Sequence, residues 1–254
     1  MMCPSRTRLR LVFAVVGLLA AVPPARAAMF YVHDSSGRLG LINPVTRQAM
    51  LIGQLPSIMT DLAVAPDGSL YGIDGSRLWR IDPASGRSKA VGALRNYMNA
   101  LVFGHDGLLY AAGGSALYTL DPATATARTI GSLGPYLSAG DLAEGPDNSL
   151  YLTTHGGELV RVDRWNARST LVGQTGLEDI FGLAYVDGLL YGMTCDNPTV
   201  YVINPQTAAA QPLFSVPAPL GGIYGASPTH LPEPGIASLL LVGAMALLPR
   251  TRRG

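Results

Sequence analysis

Charge is scarce in this chain. Only 14% of its 254 residues are Asp, Glu, Lys or Arg, and Lys89 is the single lysine. Arg6, Arg8, Arg10 and Arg26 crowd the start, and Arg250, Arg252 and Arg253 the finish. Between 28 and 231, 11 basic residues face 16 acidic ones, a net charge of −5. A body that is net negative and almost free of lysine has no electrostatic footprint for a phosphate backbone, so nucleic acid is excluded as a partner. Cysteine is equally sparse: Cys3 precedes the first apolar run and Cys195 stands alone. No internal disulfide framework can form, and with no His–Cys spacing near it Cys195 reads as an inert thiol. Long apolar runs are missing as well. The two longest, 12 residues at 11–22 and 13 at 236–248, reach ~18–20 Å as helices against a ~30 Å hydrocarbon core. Absent too are a Gly-x-Ser-x-Gly elbow, a His-Glu-x-x-His motif and a phosphate-cradling glycine loop.

What the chain has is glycine, proline and repetition. With 48% hydrophobic residues it is no disordered polymer, and its 30 Gly and 19 Pro are spread along the length, as turns between short strands require. Tyr31, Tyr71, Tyr110, Tyr151 and Tyr191 follow one another at intervals of 40, 39, 41 and 40. Segments such as Asp61-Leu-Ala-Val-Ala-Pro-Asp-Gly-Ser-Leu-Tyr71 and Asp141-Leu-Ala-Glu-Gly-Pro-Asp-Asn-Ser-Leu-Tyr151 lead into them. Asn43-Pro44, Asp82-Pro83, Asp121-Pro122 and Asn204-Pro205 keep the same phase, with Asp163-Arg164 in the fourth place. So do Ile52-Gly53, Val91-Gly92, Ile130-Gly131 and Val172-Gly173. A period near 40 suits helical arrays or four-stranded propeller blades. The Asp67-Gly68 and Asp106-Gly107 turn pairs and the absence of sustained helical spacing select strands. One unit divides into 62–65, 70–73, 78–81 and 89–91. The first unit lacks its opening strand, and 222–227 supplies an unaccompanied one at the far end. The expectation is an all-β propeller of five four-stranded blades over 28–228, closed by pairing the N- and C-terminal strands. In period and strand pattern, residues 29–228 resemble the broad class of WD40/NHL-like propellers, though no Trp-Asp dipeptide ends a unit.

Both ends read as targeting segments that add short hydrophobic helices to the fold. Arginines, an apolar stretch and Ala25-Arg26-Ala27 read as a signal peptide over 1–27, with signal peptidase cutting between Ala27 and Ala28. At the other end, Pro232-Glu233-Pro234, the apolar segment 236–248 and the cluster Arg250, Arg252, Arg253 resemble a PEP-CTERM sorting signal over 229–254. That resemblance implies an exosortase-type membrane protease as partner, transient membrane contact through 236–248, and an exported protein at the envelope or extracellular surface of a Gram-negative bacterium. Leu231-Pro232-Glu233 also begins like a sortase signal, but Pro234 stands where that family carries threonine.

Candidate chemistry is confined to the expected mouth of the ring. Residues just before each first strand should gather there: Asp61, Asn99, Asp141, Glu178 and Asp179, with Asp74, His155, Asp196 and Asn197 arriving on the loops between second and third strands. His105 and His230 read as surface residues, and Asp67, Asp106, Asp147 and Asp187 as turn residues. No catalytic residue and no required cofactor is assigned. A ring of oxygen donors is what a Ca²⁺ ion or a small polar ligand takes. SMP-30-like lactonases use an acidic and amide set of this kind around a metal, although no motif of theirs is matched. Two function classes follow: a non-enzymatic surface or matrix protein binding a glycan, protein or small ligand, and a calcium-dependent hydrolase or lactonase working at the mouth. The reading of the ends predicts a mature protein that begins near Ala28 and whose tail is either cut near Pro232–Pro234 or kept as an anchor. Mass spectrometry of protein recovered from cell fractions checks it, and a chain retaining both ends would refute it.

Overall fold

The computed structural model describes residues 29–229. The first three strands are β1 (Phe30–Asp34), β2 (Arg38–Asn43) and β3 (Gln48–Gln54). Blade II takes β4 (Asp61–Val64), β5 (Leu70–Ile73), β6 (Arg77–Ile81) and β7 (Ser88–Ala93). Blade III takes β8 (Ala100–Phe103), β9 (Leu109–Gly113), β10 (Ala116–Leu120) and β11 (Ala127–Ser132). Blade IV takes β12 (Ser138–Glu144), β13 (Ser149–Thr154), β14 (Glu158–Asp163) and β15 (Ser169–Gln174). Blade V takes β16 (Ile180–Val186), β17 (Leu189–Thr194), β18 (Thr199–Ile203) and β19 (Ala210–Ser215). Finally β20 (Ile223–Pro228) lies beside β1, giving blade I the order β20-β1-β2-β3. The chain is therefore a five-bladed propeller of four-stranded antiparallel sheets, with β4, β8, β12, β16 and β20 innermost, each touching the next around the ring.

The closing pair is antiparallel, with Phe30 opposite Pro228, Tyr31 opposite Ser227 and Val32 opposite Ala226, and a bulge between His33 and Asp34. It converts two open edges into one ladder. No single central core exists. Apolar side chains form five clusters, one between each pair of adjacent blades. The outer strands β3, β7, β11, β15 and β19 are largely exposed.

Each repeated marker has a physical origin. The Asn/Asp that opens the last turn of each blade accepts hydrogen bonds from backbone N–H groups two residues on, as in Asp82 Oδ1 with Ala84 (2.9 Å) and Asp121 Oδ1 with Ala123 (2.8 Å). Four residues after each Asn or Asp the chain turns left-handed, at Arg47, Gly86, Ala125, Ala167 and Ala208. That turn docks on the outer strand of the preceding blade, where the apolar–Gly marker lies. A Cβ added at Gly92 would come 2.8 Å from the Thr124 carbonyl, and one at Gly131 would come 2.8 Å from that of Asn166. At Gly173 it would come 2.8 Å from the Thr207 carbonyl. The glycine is thus an inter-blade contact, which is why it recurs with the period.

The seam between blades V and I departs from this scheme. Its glycine position is Phe214, paired with Val200. Instead, the segment 216–222, with a cis Ala218–Pro219 bond, inserts Leu220 against Gly40, whose added Cβ would lie 2.8 Å from the leucine. The expected terminal helices, the signal segment and the sorting tail lie outside the described residues. Among the described residues no helix is long and apolar enough to cross a membrane.

The docking predicts that Gly131→Val destabilises the fold by ~1–3 kcal/mol through overpacking. Gly221→Ala, whose nearest neighbours would be 3.7 Å away, should stay within ~0.5 kcal/mol of the parent. Urea unfolding measures both, and equal effects would count against the docking.

Candidate functional site at the axis and mouth of the ring

The inner strands present unpaired backbone donors to the axis, and an unpaired donor away from water costs ~1–3 kcal/mol. Two carboxyl groups meet this need. Asp61 Oδ1 accepts from Leu62 N–H (2.6 Å) and Oδ2 from Leu101 N–H (2.5 Å). Asp141 Oδ2 accepts from Leu183 N–H (2.5 Å) and Ala226 N–H (3.0 Å), and the carboxyl also takes a hydrogen bond from Leu142 N–H. Residues 62, 101, 142, 183 and 226 hold one equivalent position in the five innermost strands. One donor from every blade therefore converges on two side chains.

Both aspartates are fully buried. Burial pushes the Asp61 carboxyl well above its ordinary value of 3.8, and the nearby charge of Asp141 raises it further, against the backbone donors. Burial also raises Asp141, while its backbone donors and a hydrogen bond with Asp61 pull it down. The two carboxyls act as one unit, and burial makes them retain a proton between them; Asp141 Oδ1 takes no backbone donor. Such a pair shares one proton because two adjacent buried carboxylates cannot both ionise. His33 is buried alongside, and burial drives its pKa down to about 3, so it is neutral.

One residue earlier in each innermost strand or the loop before it stand Thr60, Asn99, Gly140, Phe181 and Tyr224. These form the next layer toward solvent and, with Tyr97, Leu137, Ser138 and His155, line a cavity of about 390 Å³ at the mouth. Aromatic rings run along one side. His155 meets Phe181 edge-on at 5.9 Å, Phe181 stacks on Tyr224 at 5.4 Å, and Tyr224 stacks over His33 at 6.5 Å. A hydrogen bond with the Cys195 thiol, then its charge, raises the Tyr224 hydroxyl pKa. Cys195 is free and half-buried beside that ring.

The expected cluster is therefore divided between levels. Asp61 and Asp141 form the sealed floor, and Asn99 lies in the cavity wall, its Nδ2 donating to the Ser138 carbonyl at 2.9 Å. Asp179 sits on the rim in a left-handed conformation (φ 51°) and pairs with His155 Nδ1 at 2.8 Å. Glu178 is exposed beside it. Asp74 is consumed by its own turn, accepting from Ser76 N–H, Arg77 N–H and Trp79 Nε1–H. Asp196 and Asn197 are exposed outside the cavity lining. Among the described residues no three His, Cys, Asp or Glu side chains come together to hold a metal ion. The donor set also fits calcium poorly, because the two central carboxyls already face N–H donors and cannot be reached from solvent.

Sequence reasoning missed Tyr97, Leu137, Ser138, Phe181 and Tyr224. Counting two residues back from the repeated Leu62, Leu101, Leu142, Leu183 and Ala226 would have found the layer containing Phe181 and Tyr224. On the opposite face, Arg164 replaces the proline of the other turns and is fully buried, bonded to Glu144 and, at 2.5 Å, to the Asn148 carbonyl. It lies 5.3 Å over the Tyr110 ring and 3.3 Å from Asp106, which ties blade IV to blade III. His105 joins this group through Glu144 at 2.6 Å, a packed position rather than the surface one expected of it.

No family model matches the chain, and no curated protein matches it. Solved structures do. A symmetrical protein described for its de novo evolutionary emergence matches at 19% identity and a TM-score of 0.56, over 81% of this chain and 100% of its own. A chain of a nidogen/laminin complex matches at 12% identity and 0.56, over 80% and 98%. A protein of unknown function from Bacteroides caccae matches at 10% identity and 0.54, over 80% and 99%. At such identities these likenesses show the fold alone.

The shared proton predicts a pH dependence. Folded-state pKa values above 3.8 mean that the folded chain holds protons the unfolded chain has released. The pair's contribution to stability therefore falls as pH rises from about 4 through the raised range, then levels off. Asp61→Asn keeps one of the two acceptor oxygens, leaves one of the Leu62 and Leu101 N–H groups without its partner, and has no proton to lose. Its stability loss from pH 4 to pH 8 should be smaller than the parent's by more than ~1 kcal/mol, the worth of under one pKa unit. Parallel pH curves in chemical denaturation would overturn the shared-proton assignment.

Proposed function

We propose that this chain is an exported, non-enzymatic binding protein that takes ligand at the mouth of its propeller and is processed or anchored through its C-terminal sorting signal. The carrying observation is the mouth cavity, walled by aromatic rings on one side and by Asn99 and Ser138 on the other. Asn99 Oδ1 and Ser138 Oγ are both buried without a hydrogen-bond partner. Concave, partly apolar sites with a few fixed polar groups are where small molecules bind.

A binding role is favoured over catalysis by the state of the acidic groups. Asp61 and Asp141 are committed to holding the ring, and neither reaches the cavity surface. The His155–Asp179 pair is half exposed and worth ~0–1 kcal/mol as an ion pair. The calcium-dependent lactonase alternative has no specific observation in its favour. Export rests on the signal segment, and surface or matrix placement on the PEP-CTERM-like tail with its exosortase-type protease.

A fragment screen by ligand-observed NMR, with binding mapped on the backbone amides of the full chain, tests the mouth. Shifts should centre on Asn99, Ser138, Phe181 and Tyr224. Hits confined to the opposite face, or none at all, would refute the reading.

A further inference from the structure

Charge and aromatic rings together narrow the ligand, and this step rests on the mouth being the binding site. Charge is divided unevenly between the two faces of the disc. By strand direction, the mouth face carries Asp34, Asp74, Glu158, Glu178, Asp179 and Asp196 besides the axial pair, against Arg38, Arg77 and Arg95. The other eight acidic residues of the described chain lie on the opposite face with eight basic ones. The whole net charge of −5 therefore belongs to the mouth side, less the proton that the axial pair retains. Arg38 is bound to Asp34 at 2.8 Å, and neither Arg77 nor Arg95 lines the cavity. Beneath the floor, Asp61 and Asp141 hold one negative charge between them beside the neutral His33. The acidic field reaches the cavity wall. The Tyr224 hydroxyl pKa, raised first by the bond to Cys195, is raised further by Asp196 and Asp179. A cleft with low-dielectric walls and one sign of charge concentrates ions of the other sign.

The lining offers such a cation aromatic faces rather than carboxylate oxygens. Tyr97 from the loop before β8, Phe181 of β16 and Tyr224 of β20 bring three rings to one cavity. Phe181 and Tyr224 stack at 5.4 Å with 20° between their planes, and both are partly exposed. Tyr97 is 64% exposed, and its ring lies against Gly75, where an added Cβ would come 2.5 Å from Tyr97 Cε2. Gly140 leaves open the space beside Phe181, since a Cβ there would stand 3.4 Å from that ring. An aromatic face carries the negative end of its quadrupole and attracts a cation within ~6 Å of the ring centre. A metal ion, or an ammonium bearing N–H groups, would give up hydration that rings do not replace. A methylated ammonium spreads its charge over C–H groups that need no acceptor. We propose that the mouth binds a small methylated ammonium ion, packed against Tyr97, Phe181 and Tyr224 and balanced by the acidic face around and beneath them. The three rings come from separate parts of the circle, so only the closed propeller assembles the site.

The test titrates the purified full chain by isothermal calorimetry with choline, with phosphocholine and with the uncharged isostere of choline in which a tert-butyl group replaces the trimethylammonium. Choline should bind ~tenfold or more tightly than the isostere. Its affinity should fall as salt rises past ~0.1 M, where the Debye length is ~10 Å, while that of the isostere stays level. Phosphocholine, which brings negative charge to an acidic face, should bind more weakly than choline. Tyr97→Phe should keep choline affinity within ~twofold, and Tyr97→Leu should weaken it ~fivefold at an unchanged melting temperature. Asp179→Asn combined with Asp196→Asn should lower the affinity and flatten its salt dependence. An isostere that binds as well as choline, or choline binding untouched by Tyr97→Leu, would overturn the proposal. If choline fails to bind while fragments still map to the mouth, the cation assignment alone fails; with no fragments either, both readings fail.

Discussion

Five backbone N–H groups aimed at one axis have to be satisfied, and the ring depends on how this is done. A propeller leaves the inner edge of every blade unpaired, and the axis of a five-bladed ring is too tight for each blade to supply its own cap. Here Asp61 and Asp141 serve all five positions. The equivalent places in the other blades are Ala100, Gly182 and Gly225. At Gly225 an added Cβ would sit 2.8 Å from the Asp61 Cα and Oδ1. Two large acidic residues and three small ones are therefore complementary, and the five-fold backbone is held by an asymmetric set of side chains.

The same asymmetry generates the mouth. The layer above the aspartates is Thr60, Asn99, Gly140, Phe181 and Tyr224, five unlike residues at one structural position. Packing between blades asks for the same small residue at each outer marker, since each glycine meets the same turn of its neighbour. The axial layers escape that constraint and can diverge, so the cavity acquires an aromatic side and an amide side from a repeated scaffold.

This division explains what was legible in the sequence. Gly92 and Asp121 and their equivalents repeat because they serve the same turn-to-strand contact in successive blades, and the blade count, strand pattern and closing pair follow from the period they share with Tyr71 and its equivalents. The site did not follow, because its residues share a position without sharing a type. Asn99 stands one residue ahead of the register of Asp61 and Asp141, and Ile180 and Phe181 separate Glu178 and Asp179 from the axis, differences that residue type alone does not carry. The divided role of the carboxyls was hidden for another reason. A buried aspartate holding strand edges and an exposed one holding a ligand look the same in a string of letters, and only the direction of the neighbouring N–H groups tells them apart.

The closing pair also fixes how the molecule faces its surroundings. Both ends of the ring meet where the Thr229 N–H donates to the Met29 carbonyl at 3.0 Å. By strand direction this lies at the end of blade I opposite the cavity. Met29 and Thr229 thus stand side by side on the underside of the disc, as far from the opening as the inner strand of blade I reaches.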